Sequence, residues 1–273
     1  MARVIAITNQ KGGVGKTTTA INLAASLAAA DMRTLLIDID PQSNASSGLG
    51  LRKKSYPKST YDVLVGGESL ASILHQTELE ALKLAPASRE LVGATMELSQ
   101  ETDRNQRLIE ALAPIKSDFD YILIDCPPSL DILTVNALLA ADSVLIPIQC
   151  EYFALEGVSE LIATIMEIRK AGNPDLEVEG VLVTMFDDRT NLANQVLADL
   201  KEFFGSQVFS TVIPRNVRLG EAPSHGRPIL LYDIKSKGAE AYIRLAKELI
   251  QHGTPEKSVG EGFERPVGDT EHS

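Results

Sequence analysis

Near its N-terminus the chain places an apolar, β-branched run, Val4-Ile5-Ala6-Ile7, just before Gly12-Gly13-Val14-Gly15-Lys16-Thr17-Thr18. The stretch 17–30 that follows is alanine-rich, with apolar residues at Ala20, Leu23, Ala24 and Leu27. That is a strand over 4–8, a glycine turn and a helix, and the order is restrictive. Glycines let successive backbone N–H groups converge on an anion, and the first turn of the helix adds its partial positive charge. The spacing predicts a phosphate-binding turn in which Lys16 reaches the β- and γ-phosphates of a nucleotide and the Thr17 hydroxyl holds Mg²⁺. A mere glycine-rich turn with two solvated lysines explains the coincidence poorly, and a dinucleotide Gly-x-Gly-x-x-Gly reading fails on spacing. One departure stands out, because Gln10 occupies the position where the usual pattern begins with glycine and Lys11 follows it.

A strand feeding a helix in this way belongs to a parallel sheet. Residues 34–39, 121–125, 143–148 and 178–185 repeat the unalternating apolar character of strands covered on both faces, and 208–213 reads as one more. Leu192, Val196, Leu197, Leu200, Phe203 and Phe204 fall on one helical face, as do Ala239, Tyr242, Ile243, Ala246, Leu249 and Ile250. Between 43 and 77, glycines and a proline punctuate short pieces, read as loops and small helices beside the sheet. The expected fold is α/β, a single domain with a twisted, mostly parallel sheet and helices on both faces, over residues 1–252. Residues 253–273 carry too little apolar surface to offset the entropy of ordering, and are expected to be a disordered acidic tail.

Three carboxylates lie where such a sheet meets its ligand. Asp38 and Asp40 close the second strand and Asp125 closes the strand 121–125. The C-terminal ends of parallel strands face the ligand crevice, and a period of two puts Asp38 and Asp40 on the same side. A carboxylate there can orient a water or hold Mg²⁺ through its water shell. Each can instead cap a turn, and for Asp38 the two readings are evenly matched.

The 37 acidic residues outnumber the 26 basic ones, for a formal charge of −11, which taken alone argues against nucleic acid or an anionic membrane. The sum conceals a local excess, since Arg215, Arg218, Arg227, Lys235, Lys237, Arg244 and Lys247 face only Glu221, Asp233 and Glu240 between residues 213 and 247. Cys126 and Cys150 match no metal spacing and need no disulfide framework. His75, His225, His252 and His272 form no spaced cluster. No secretion signal or membrane span is expected, which fits a reducing cytoplasm.

Residues 11–18 resemble the deviant Walker A box of the ParA/MinD branch of P-loop NTPases, with Lys11 as its signature lysine. Asp38-Ile39-Asp40-Pro41-Gln42-Ser43-Asn44 and Asp125-Cys126-Pro127-Pro128-Ser129 resemble that branch's next two boxes. Glu151-Tyr152-Phe153-Ala154-Leu155-Glu156-Gly157, Ile213-Pro214-Arg215-Asn216-Val217-Arg218 and Glu221-Ala222-Pro223-Ser224 are similar to boxes of its chromosomal ParA/Soj group. The likeness runs roughly from residue 3 to 252.

The resemblance implies an ATPase whose ATP, with Mg²⁺, joins two subunits into a sandwich homodimer. Lys11 would touch the partner's phosphates, Gly12, Gly13, Val14, Gly15, Lys16, Thr17 and Thr18 would cradle the subunit's own, and Asp40 would position the attacking water. Thr17 would bind the metal, with Asp125 behind it. Met185, Pro214 and Asn216 would border the adenine. It further implies non-specific binding of double-stranded DNA through Arg189 and Arg218, hydrolysis that is slow until a ParB-type partner stimulates it, and a cytoplasmic, nucleoid-associated protein used in chromosome partition. The alternative from the same branch, a MinD-like cell-division regulator on the membrane, requires a basic amphipathic helix at the C-terminus, where this chain has Gly253-Thr254-Pro255-Glu256 and acidic residues. A nitrogenase-type iron protein requires cluster-ligating cysteines in positions that Cys126 and Cys150 do not occupy.

Overall fold

β-branched and leucine-rich segments of five to eight residues account for the central strands: β1 (Arg3–Ile7), β2 (Thr34–Asp38), β5 (Tyr121–Asp125), β6 (Ser143–Gln149) and β7 (Glu177–Thr184). Two short strands, β3 (His75–Gln76) and β4 (Leu82–Ala85), extend the sheet at one edge. The computed structural model describes residues 2–52, 55–151 and 154–252. The expected acidic tail, 253–273, lies outside them, as do Tyr152 and Phe153.

The strands form a seven-stranded sheet in the order β3-β4-β2-β5-β1-β6-β7, parallel at every pairing except β3 with β4. The period of two sorts their side chains into two cores. Val4, Ala6, Leu35, Ile37, Ile122, Ile124, Val144 and Ile146 face one, which is closed by residues of helices Leu91–Leu98, Arg107–Leu112, Ile132–Ala140, Ala154–Ala171 and Asn191–Phe204. Ile5, Ile7, Leu36, Leu123, Leu145 and Leu182 face the other, beneath helices Lys16–Ala28 and Lys237–His252. Each fully buried Ile or Leu contributes about 1.5–3 kcal/mol of transfer free energy, so a strand apolar on both faces is held from both sides. The result is the single α/β domain expected from the sequence. No helix among the described residues is long and apolar enough to cross a membrane.

Two expectations need correcting. Residues 208–213 do not form a strand; Val208 makes an isolated bridge with Val181 of β7, and just beyond the segment Pro214 makes another with Phe186. The Phe209 and Ile213 amides donate to the carbonyls of Val181 and Val183 (3.0 and 2.8 Å), so four residues here span two of β7. The intervening Ser210 and Thr211 amides turn away to the Glu248 carboxylate, at 2.6 and 3.0 Å. The stripe on Asn191–Phe204 is also narrower than its composition implies. Ala193, Val196, Leu200 and Phe204 are buried, whereas Leu192 and Phe203 are 48% and 59% exposed.

Candidate nucleotide-binding site

The glycine turn leaves the C-terminal end of β1 and enters the helix Lys16–Ala28. Gly13 and Gly15 adopt φ of 76° and 89°, the left-handed region that a side chain resists. Three side chains fix the turn from outside. The Thr184 hydroxyl, at the end of β7, donates to the Val14 carbonyl (2.7 Å). Asn9 accepts the Lys11 amide (2.9 Å) and donates to the Pro147 carbonyl (2.8 Å). Behind the helix, the Thr19 and Tyr242 hydroxyls share a buried hydrogen bond of 3.2 Å, tying the turn to the C-terminal helix.

A cavity of about 660 Å³ opens on this turn. Of the residues singled out in the sequence, Gly12, Gly13, Gly15, Lys16, Thr17, Thr18, Asp40, Met185, Pro214 and Asn216 line it. Val14 is buried behind the turn instead. Gln42, Asn44, Pro128, Thr184, Val217, Gly220 and Tyr242 join the wall as well. Tyr242 carries no motif and reads in the sequence as one more core residue of an amphipathic helix. Gln42 and Asn44 alternate with the buried Ser43 and belong to the box that supplies Asp40.

The Lys16 ammonium donates to the carbonyl of Lys11 (2.9 Å). Burial pushes its pKa below the ordinary lysine value, opposed by the nearby carboxylates of Asp125 and Asp40. The three carboxylates separate in role. Asp38 is fully buried and occupied: one oxygen accepts the Asp40 amide (3.1 Å), the other the Ser46 amide (2.8 Å) and hydroxyl (2.7 Å). Burial still raises its pKa to about 6, against those hydrogen bonds. These hydrogen bonds match the turn-holding one of its two readings. Asp40 spends one oxygen on the Gln42 amide (2.8 Å) and faces the cavity.

Asp125 is different. It lies opposite Asp38 in the register of β2 and β5, is fully buried, and neither of its oxygens has a hydrogen-bond partner among the described residues. Burial raises its pKa well above the carboxylate range; the charge of Asp38 adds to this, while the nearby Thr17 hydroxyl and Lys16 pull the other way. Hard oxygen donors left without partners beside Thr17 fit Mg²⁺, which keeps most of its waters and rests on one or two carboxylates and the substrate's phosphates. Among the described residues no three His, Cys, Asp or Glu side chains gather into a metal cage, and such a cation needs none.

Lys11 stands apart from the cavity. Its ammonium pairs with the Glu151 carboxylate, and both side chains are about half exposed. Arg189, beyond β7, and Arg218, on the helix Val217–Glu221, are exposed and ion-paired, with Asp187 and Glu221 respectively.

Residues 2–178 match the AAA domain family. The chain is 55% identical over 255 residues to the chromosome partitioning protein ParA of Myxococcus xanthus, covering 93% of this chain and 90% of that one. It is 55% identical over 253 residues to the sporulation initiation inhibitor protein Soj of Bacillus subtilis, covering 93% of this chain and all of that one. The chain belongs to the ParA/Soj family of P-loop ATPases. The fold alone is less discriminating: a crystal structure of cobyrinic acid a,c-diamide synthase from Mycobacterium smegmatis with bound ADP and magnesium superposes with a TM-score of 0.81 at 39% identity, covering 92% of this chain and 95% of that one. A shared P-loop scaffold accommodates differently named activities, so the ParA/Soj assignment rests on the sequence relatives and on the boxes around the cavity.

Proposed function

We propose that this chain is a DNA-partitioning ATPase in which Mg-ATP joins two copies into a DNA-binding homodimer, and hydrolysis, stimulated by a ParB-type partner, releases it. The observation that carries the reading is the convergence of Lys16, Thr17 and Asp40 on one cavity, beside the fully buried Asp125, in a chain of the ParA/Soj family. The backbone amides of residues 12–18 bind phosphate oxygens. Lys16 delivers a partly desolvated ammonium to charge that builds up as the terminal phosphoryl moves. Asp40 has one oxygen fixed by Gln42 and the other left to accept a proton from water, which it orients for attack on the γ-phosphorus, with ADP as leaving group. Thr17 would hold Mg²⁺, with Asp125 supporting it from behind, and the charge supplied there would neutralise the phosphates. Met185, Pro214 and Asn216 border the base.

Lys11 leaves Glu151 to reach the partner subunit's nucleotide. Arg189 and Arg218 contact duplex phosphates, and doubling that face in the dimer makes a weak monomeric contact effective. The protein then works in the cytoplasm on the nucleoid. Co-sedimentation with duplex DNA in ATP, in ADP and without nucleotide, at two salt concentrations, tests this reading. Retention that needs ATP and falls steeply with salt is expected; equal retention in all three states, or none in ATP at low salt, refutes it.

A further inference from the structure

We infer that Asp187, Glu221 and Asp233 form a brake on the DNA face: they hold the two assigned arginines, and duplex phosphates must displace them. The inference rests on the DNA reading above and concerns the regulation of that same surface.

Arg189 donates to Asp187 with two parallel bonds, Nε to Oδ1 at 2.8 Å and Nη2 to Oδ2 at 2.6 Å. Its side chain is 82% exposed, and no other ion pair holds it among the described residues. These bonds push the Asp187 carboxyl down to about 2, so the pair stays charged across any working pH. Arg218 donates to Glu221 at 2.8 Å, and its Nε lies 3.6 Å from an Asp233 oxygen. The Tyr232 hydroxyl donates to the same Glu221 oxygen at 3.2 Å and fixes that carboxylate in place. The two clusters share one end of the sheet, since Phe186 bridges Pro214 and the Arg215 amide donates to the Phe186 carbonyl (3.0 Å).

A guanidinium fork binds carboxylate and phosphate with the same edge, so each bond to an acid excludes one to DNA. Nearby Arg215, Lys235 and Lys237 are exposed and have no ion pair among the described residues. They offer a first, weak contact to any polyanion. Exposed pairs are worth about a factor of two each, so a closely spaced run of phosphates can displace them where an isolated anion gains little. A monomer therefore meets DNA with its two arginines occupied. A dimer held on the duplex keeps phosphates close enough to exchange all of them.

The test is the double variant Asp187→Asn, Glu221→Gln. Asparagine can still accept the Arg189 amide, and glutamine the Tyr232 hydroxyl, so the fold is kept and thermal melting checks it. Glu110→Gln with Glu202→Gln, two exposed positions elsewhere, makes the same change in net charge. Anisotropy of a labelled duplex is titrated with each protein in ATP and in ADP over a range of salt. Releasing four pairs per dimer is expected to tighten DNA binding about tenfold in ATP, with a measurable gain in ADP and a steeper salt dependence, while the control variant matches wild type. Unchanged affinity of the double variant, or an equal gain by the control, overturns the brake while ATP-dependent binding by wild type stands. A wild-type protein that ignores DNA in ATP at low salt defeats the DNA reading itself, and the brake with it.

Discussion

Replacing Asp125 by asparagine should make the ligand-free protein more stable and its response to Mg-ATP weaker. The carboxylate is fully buried, neither oxygen meets hydrogen-bond geometry with a partner among the described residues although the Thr17 hydroxyl lies nearby, and Asp38 stands opposite it across β2 and β5. Asparagine keeps the volume and removes the charge. Leaving one buried polar group unsatisfied costs about 1–3 kcal/mol and a charge costs more; the amide remains poorly paired, so a net gain of about 1–3 kcal/mol is expected. In a chain of this size that is about 2–10 °C in Tm. The pH dependence has a definite sign. A carboxyl whose folded pKa lies above its unfolded value leaves the folded state holding more protons between the two, so wild type gains stability as pH falls through that window. The advantage of asparagine is therefore largest near neutral pH and shrinks towards pH 4. A saturating ligand at a hundred times its Kd adds about 2.7 kcal/mol to wild type, and the variant should recover only part of it. Differential scanning fluorimetry in EDTA and in Mg-ATP, at pH 5 and pH 7.5, reads all of these quantities. A variant that melts lower than wild type in EDTA, or that gains the full Mg-ATP shift, refutes the assignment of Asp125 to the metal.

Ser46→Ala strips Asp38 of a 2.7 Å hydrogen bond and leaves the Ala87 amide, which donates to Ser46 Oγ at 3.0 Å, without an acceptor. Urea denaturation should show a loss of about 2–4 kcal/mol, and a loss under 1 kcal/mol would contradict that role. Lys16→Ala should abolish binding of a fluorescent ATP analogue without lowering Tm in the absence of nucleotide; ordinary affinity would exclude the phosphate role. Asp40→Ala should keep nucleotide binding and lose hydrolysis, so phosphate release at the wild-type rate would remove Asp40 from the water. Nothing lies within 4 Å of a Cβ added at Gly12, so Gly12→Val should fold and bind ATP yet stay monomeric. An ATP-dependent dimer on size exclusion would place Gly12 away from the subunit interface.

The parts of the molecule legible in the sequence are those whose physics is local. A strand buried on both faces writes its burial into an unbroken apolar run, so β1, β2, β5, β6 and β7 stand out. β4 does not, because its four residues include the exposed Lys83 at the edge of the core. The phosphate turn is legible for the same reason: glycine conformation, lysine and helix start lie within eight residues. What decides Asp38 from Asp40 is not local. Strand period treats them alike, and the difference is the Ser46 amide and hydroxyl, delivered by the five-residue helix Asn44–Gly48, which no periodicity announces. Residues 208–213 have the composition of a strand and fail to become one because Glu248, almost 40 positions later, takes two of their amides.

Charge follows the same logic. Counting residues 213–247 finds a basic segment in an acidic chain, but a count assigns every arginine to solvent. Arg218, Arg227 and Arg244 each have a carboxylate within 3.2 Å. Lys235, Lys237, Lys247 and Arg215 have none within ion-pair distance among the described residues. The charge a polyanion meets first is thus carried mainly by lysines, each a strongly hydrated point charge that suits a sequence-blind contact. Three of the four arginine forks, Arg218, Arg227 and Arg244, which would give tighter bidentate contacts to phosphate, are already engaged. On the DNA reading proposed above, a face arranged this way would bind a duplex weakly at first and gain strength only when the duplex is held against it, which is the behaviour an ATP-timed grip requires.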